Sequence, residues 1–178
     1  MDSILVKKAI AGDSRALTQL IDKYKDNAYN LAISIVKDKE SAKDITQDSL
    51  LKVLENIHRF RNESKFSTWL YRIVYNESLQ HILKIKKANL TDIESVKIER
   101  YSDDIPSAEN EYLKVDLYQA IERLETNEQH IILLFYLGEK SVKEINNITG
   151  LSKPNIKVIL HRARKKLYKH LKLEYEKN

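Results

Sequence analysis

The stretch that most narrows the possible folds runs from Ser141 to Leu171, where two helical periods are separated by turn signals. Ser141 followed by Glu144 forms a capping box that predicts a short helix with Val142, Ile145 and Ile148 turned inward. Gly150 ends it and Leu151 anchors the turn. Ser152 is a suitable N-cap for a second helix, and Pro154 is tolerated there because the first turn offers no intrahelical acceptor for its missing N–H. In that second helix Ile156, Leu160, Ala163, Leu167 and Leu171 recur at three- and four-residue steps, while Lys153, Lys157, His161, Arg164 and Lys165 line another side. Eight Lys or Arg and no Asp or Glu fall between Ser152 and Lys172, a charge run suited to nucleic-acid phosphates. The pattern predicts a helix-turn-helix with a recognition helix. A terminal amphipathic helix with a merely solvated lysine face would share the period, but not the cap, glycine and N-cap that precede it.

Composition limits what the remaining chain does. The 178 residues suffice for one medium domain or two small ones, and 42% hydrophobic content supports real cores. A net charge of +5 concentrated toward the C-terminus favours a polyanionic partner. With no cysteine, disulfides, thiol catalysis and Cys-based zinc sites are excluded, which fits a reducing compartment. Three glycines, at 12, 138 and 150, cannot write a phosphate loop or a dinucleotide fingerprint. The five histidines lack metal-site spacing, and nothing nominates a catalytic set, so neither enzymatic activity nor a cofactor is expected. The start of the sequence lacks the apolar core of a secretory signal and no stretch approaches a membrane span, which predicts a soluble, cytoplasmic protein.

Read in order, residues 2–11 form a short helix closed by Gly12, with Asp13 or Ser14 capping the next. Leu17, Leu20, Ile21, Tyr24, Ala28, Leu31 and Ile35 then follow a helical period. Ser41 and Asp44 read as a capping box for a helix to about Ile57, with Ala42, Ile45, Leu50, Val53 and Leu54 inward and Asp44, Gln47 and Asp48 outward. Those carboxylates either serve the helix dipole or form a docking face for a basic partner. The loop Phe60, Arg61, Asn62, Glu63, Ser64, Lys65, Phe66 interleaves aromatics with cations, as unstacked single-stranded bases require; alternatively the two rings plug the flanking helices. A helix from Ser67 to about Lys87 follows, with Arg72, Asn76 and Gln80 at four-residue spacing, either a row able to bond base edges or a solvated face. Residues 88–111 lose the helical period and become acidic around Pro106, as a flexible linker does. Helical pattern resumes near Tyr112, and Thr126 with Gln129 reads as a capping box opening the apolar run from Ile131 to Leu137.

The segment Phe66-Ser67-Thr68-Trp69-Leu70-Tyr71-Arg72-Ile73 resembles the promoter-melting region of bacterial extracytoplasmic-function (ECF) sigma factors, within the sigma-70 superfamily. Ala11-Gly12-Asp13 is similar to the family's start, Asp44-Ile45-Thr46-Gln47-Asp48 to its polymerase-binding helix, and Glu144-Ile145 with Leu160-His161-Arg162-Ala163-Arg164 to its reader of the −35 element. The resemblance runs nearly end to end and its motifs fall in order.

It implies an all-α protein of two small helical domains: residues 1–87 for polymerase binding and −10 recognition, a linker over 88–111, and a helix-turn-helix domain over 112–178. Asp44, Gln47 and Asp48 would dock on core RNA polymerase. Phe60, Arg61, Asn62, Glu63, Ser64, Lys65, Phe66, Arg72, Asn76 and Gln80 would serve the −10 element. Lys153, Lys157, His161, Arg162, Arg164, Lys165 and Lys166 would meet the −35 duplex in promoter DNA. An inhibitory anti-sigma partner, soluble or membrane-anchored, is a further implication. The chain departs from the family pattern at Lys43, Asn146, Leu79-Gln80-His81, Pro154-Asn155 and Val158-Ile159. The last pair cannot bond phosphate and instead offers apolar contact to thymine methyls. The rival readings are a conventional helix-turn-helix regulator on an operator, and a protein-binding adaptor whose basic helix meets an acidic partner.

Overall fold

The computed structural model describes residues 2–89, 117 and 119–175, and all its regular elements are helical. The first unit comprises α1 (Asp2–Ile10), α2 (Ser14–Val36), α3 (Lys39–Asn56), a 3₁₀ turn (Ile57–Arg59) and α4 (Phe66–Asn89). After a helical turn at 119–122 the second unit comprises α5 (Thr126–Tyr136), α6 (Val142–Thr149) and α7 (Lys153–Tyr175). Helix α4 passes the expected domain end at residue 87, and residues 90–111 of the expected linker lie outside the described residues.

Local chemistry sets the helix starts. Asp13 caps α2 by accepting from the N–H groups of Arg15 and Ala16 at 3.0 and 3.1 Å. Two expected caps move. Helix α3 begins at Lys39 because Asp38 accepts from the Ser41 N–H at 2.7 Å, so Ser41 lies inside the helix rather than capping it. Helix α5 begins at Thr126, and the Glu125 N–H donates to the Glu128 carboxylate at 3.1 Å, one residue ahead of the Thr126–Gln129 pair. Gln129 instead donates to the carbonyls of Glu122 and Leu124, tying the preceding turn to α5.

The three long helices α2, α3 and α4 meet around Leu20, Leu31, Val53, Leu70 and Val74, while Ala28, Ala32 and Ala42 let backbones approach closely. In the second unit Leu124, Ile131, Leu134, Ile145, Ile156, Leu160 and Ala163 are buried, in one apolar cluster continuous with the core of the first. The run from Ile131 is therefore a buried helix, as its cap and helical neighbours predict.

The two units also touch, a contact with no local signature in the sequence. Helix α6 packs on α4 and α5 on α2. Lys140, 5% exposed, donates to the Ser67 hydroxyl at 2.7 Å and sits over the Tyr71 ring. Glu144 bridges to Lys65 and Thr68, Lys37 bonds Gln129, and Tyr75 meets His130 edge to face. Apolar residues meet at this contact as well: Leu31 and Tyr71 of the first unit line one small cavity with Leu133, Leu134 and Leu137 of the second.

His130 marks its least favourable point, since neither ring nitrogen has a hydrogen-bond partner. Burial pushes its pKa from 6.5 down to about 4; the Ser34 backbone opposes that shift and the Lys37 ammonium adds to it. The native state therefore holds the ring neutral while the unfolded chain takes up a proton below pH 6.5. Stability should fall as pH drops from 6.5 through about 4, by roughly 3 kcal/mol at most. In His130→Phe that part of the urea-melt stability profile should flatten; an unchanged slope between pH 6.5 and 4 would show that the histidine contributes nothing to it.

Candidate nucleic-acid interface

The capping box predicted at Ser141 is present: the Ser141 hydroxyl accepts from the Glu144 N–H, and the Glu144 carboxylate accepts from the Ser141 N–H at 2.9 Å. Gly150 closes α6 at φ +75°, a left-handed geometry that disfavours any side chain. Asn146, a departure from the family pattern, donates to the Leu151 carbonyl at 2.8 Å, and Thr149 accepts from the Leu151 N–H at 3.2 Å. These bonds fix the turn, and hence the angle at which α7 leaves it. Ile145, Ile148, Ile156, Leu160 and Ala163 weld the two helices together.

With its packed face so used, α7 presents Lys157, Val158, His161, Arg162 and Lys165 outward, with Lys153 at its start. Val158 is 45% exposed, whereas Ile159 packs partly into the core, so only Val158 is free to meet a thymine methyl. Two of the predicted contacts have internal partners. The Arg164 guanidinium donates to the Tyr136 hydroxyl at 2.9 Å and lies over the Phe135 and Tyr136 rings. Lys166 pairs with Glu125 and Glu128, both at 2.9 Å, which raises its own pKa and lowers that of Glu125. Both anchor α7 to α5.

In the first unit the expected −10 residues separate by chemistry. Phe60 and Phe66 are 8% and 3% exposed and join Trp69, Tyr24 and Tyr71 in an aromatic cluster, with Phe60 and Trp69 centroids 5.0 Å apart. They hold the loop from inside and offer no face to a base, a correction to the stacking role expected of them. Arg61, Asn62, Glu63 and Lys65 stay exposed and Ser64 half-buried; Asn62 takes a left-handed φ of 56°, a conformation asparagine tolerates. Arg72, Asn76 and Gln80 form one exposed row along α4. Trp69, half-buried like Tyr24, lies one turn before Arg72 and Ile73. Its aromatic type and helical offset from Asn76 were readable signals that a loop-centred reading passes over.

On α3, Asp44, Gln47 and Asp48 face solvent. They flank Leu51 and Leu54, 47% and 48% exposed, on the side away from Ala42, Ile45, Ser49 and Val53. Leu54, expected in the core, is thus a surface residue, and the exposed leucines have Asp44 and Asp48 along one side and Lys43 on the other. Among the described residues no group of His, Asp and Glu could hold a metal ion, and no helix is long and apolar enough to cross a membrane.

Comparison with known proteins agrees with this layout. The family model of Sigma-70 region 2 matches residues 20–88, and that of Sigma-70, region 4 matches residues 114–167. The chain is 30% identical over 177 residues to the ECF RNA polymerase sigma factor SigW of Bacillus subtilis (strain 168), covering 94% of this chain and 95% of that protein. It is 30% identical over 149 residues to the RNA polymerase sigma factor SigV of the same organism, covering 84% and 87%. In fold it is similar to CnrH, solved in complex with the cytosolic domain of CnrY, at 21% identity with a TM-score of 0.65 over 97% of each chain. It is likewise similar to the sigma factor RpoE of Bartonella quintana, solved with the anti-sigma factor NepR, at 22% identity with a TM-score of 0.71 over 87% and 96%. With region 2 and region 4 matched in order and the length of SigW covered, the chain belongs to the ECF family of RNA polymerase sigma factors.

Proposed function

We propose that this chain is a dissociable promoter-specificity subunit that binds core RNA polymerase, reads a −35 duplex with α7, and captures unpaired −10 bases with α4 and the loop before it. The observation that carries the reading is the pairing, within one chain, of a rigidly turned helix-turn-helix with the first unit, which exposes the row Arg72, Asn76, Gln80 beside a cationic loop. A conventional operator-binding regulator needs the first and has no use for the second.

The roles follow from what each side chain leaves free. Lys157, His161 and Arg162 reach base edges in the major groove, Val158 offers a methyl contact, and Lys153 and Lys165 hold phosphates. Lys166 and Arg164, spent on Glu125, Glu128 and Tyr136, position the helix. On the first unit Arg61, Asn62, Lys65, Arg72, Asn76 and Gln80 take the −10 strand, and Trp69 supplies the stacking face that Phe60 and Phe66 do not. The leucine-centred acidic face of α3 fits a cationic, apolar helix of the polymerase. The protein works in the cytoplasm, needs no cofactor or catalytic group of its own, and is held in check by an anti-sigma factor, as the neighbours solved with CnrY and NepR suggest.

Three outcomes test this. In reconstituted transcription from a promoter library randomised in both elements, Arg162→Ala should lose about 1 to 3 kcal/mol of discrimination at one −35 base and leave −10 preference fixed. Asn76→Ala should do the reverse; changes in the same element for both variants would favour an operator-binding regulator. In salt titrations of −35 duplex binding, Lys153→Ala and Lys165→Ala should each lower the log-log slope by roughly 1, and Lys166→Ala by less, the ranking that its internal ion pairs demand. Leu51→Ala should weaken competition for core polymerase by roughly 5- to 30-fold, the equivalent of about 1 to 2 kcal/mol of apolar burial, without altering duplex binding. Wild-type competition by Leu51→Ala would remove α3 from the docking face.

A further inference from the structure

The first turn of α7 uses its polar groups differently from those of α5 and α6. In these two helices the third residue, Glu128 or Glu144, spends its carboxylate on the backbone N–H of the residue that caps the helix. In α7 the third residue is Asn155. Its own N–H donates to the Ser152 hydroxyl at 3.4 Å, yet its side-chain amide is exposed and bonds no group among the described residues. Asn146, by contrast, spends its amide inside the chain on the Leu151 carbonyl. Before Asn155 stands Pro154, which has no N–H at all. A helix start holds phosphate with free first-turn N–H groups, and of the first three residues of α7 only Lys153 keeps one. The turn is therefore a poor anion seat and offers a free carboxamide instead. Asn155 shares a side of α7 with Val158 and Arg162, at steps of three and four residues, all three exposed. At 1.5 Å of rise per residue, Val158 lies about 4.5 Å further along the axis than Asn155, close to one base step of 3.4 Å.

We propose that Asn155 is a specificity-determining residue of this chain, selecting an adenine in the −35 duplex through a bidentate contact of its side-chain amide, next to the base pair whose thymine methyl meets Val158. The inference rests on the proposed function and deepens it by naming the base that the start of α7 selects. In the major groove adenine presents one acceptor, N7, and one donor, the N6 amino group, side by side; a carboxamide answers both, its NH₂ donating to N7 and its carbonyl accepting from N6. The first residues of a recognition helix are the ones that reach base edges. Lys153, two residues earlier, supplies the charge for the DNA backbone, so a neutral amide is not needed there. Nor does the amide serve the helix: asparagine is a weak helix former, and the reciprocal cap that a third residue could give is not made. Buried Ile156 and Leu160 lock the rotation of α7 about its own axis, which keeps the amide on the side of Val158 and Arg162.

The test uses the full-length chain assembled with core RNA polymerase, on promoters randomised at −35 with the −10 element held fixed. The wild type should select adenine at one −35 position. Asn155→Ala, an exposed change that leaves the backbone bond to Ser152 in place, should lose that selection by roughly 5- to 150-fold and keep the other −35 preferences. Asn155→Asp, which accepts but cannot donate, should trade adenine for cytosine at the same position. Val158→Ala should relax a position within about two base steps of it. On the selected promoter, 7-deazaadenine in place of that adenine removes N7 and keeps the base pair. It should weaken wild-type binding by about 5-fold, the worth of one hydrogen bond, and leave Asn155→Ala unaffected. The inference is overturned if Asn155→Ala weakens every sequence alike, as loss of a phosphate contact would. It is equally overturned if Asn155→Asp keeps adenine, if the Asn155 and Val158 positions lie further apart, or if 7-deazaadenine costs the wild type and Asn155→Ala the same. A wild-type −35 preference that outlives these failures leaves the promoter-reading function standing, whereas a wild type with no −35 preference in the presence of core polymerase overturns both.

Discussion

The rest of the structure depends on the reciprocal bond between Ser141 and Glu144. A capping box satisfies backbone donors that have no partner in the first turn of a helix, and here it fixes where α6 starts to within one residue. That start sets the phase of Ile145 and Ile148 against α7 and the distance to Gly150, whose left-handed geometry aims the recognition helix. It also places Lys140 just ahead of the cap and Glu144 within it, on the side where α4 begins. One local interaction thus governs both the DNA-reading geometry of the second unit and its grip on the first.

Helix α4 receives that grip and divides its surface three ways. Leu70 and Val74 enter the core of the first unit; Ser67, Thr68 and Tyr75 meet the second unit, with Tyr71 beneath Lys140; Arg72, Asn76 and Gln80 stay in water. The face toward the second unit is polar and aromatic. Hydrogen bonds and ring contacts, each of small net value against water, act there beside the apolar residues Leu31, Leu133 and Leu134 that meet between the units. Burial raises the Tyr71 pKa to about 12, keeping its hydroxyl neutral.

Charge is segregated in the same spirit. Carboxylates flank the exposed leucines of α3 on one side, where a cationic protein surface would be matched, and cations line α7, where phosphate would be. The cationic helix spends part of its charge internally: Lys166 on two glutamates and Arg164 on two aromatic rings. A count of lysines and arginines therefore overstates the charge open to DNA, and the internal pairs are what hold the helix still enough to read sequence.

What the sequence determined by itself is whatever short-range chemistry decides. The helix-turn-helix, its cap at Ser141, its glycine stop and the packed face of α7 rest on interactions between residues three or four apart, and all are legible from spacing. The caps of α3 and α5 were displaced by one to three residues because Asp38 and Glu125 stand close enough to compete for the same role. The exposed row on α4 follows from its four-residue spacing alone. Tertiary structure decided the rest. Whether Phe60 and Phe66 face a base or a core depends on Tyr24, far back in the chain, and periodicity could not turn Leu54 outward, since a helix of three apolar faces does not announce which one is left uncovered. Least legible of all was the meeting of the two units, where Lys140 finds Ser67 across 73 residues and Glu144 finds Thr68 across 76. Those partners are ordinary polar residues in their own segments, and only the folded backbone, which brings the start of α4 against the start of α6, gives them anything to bind.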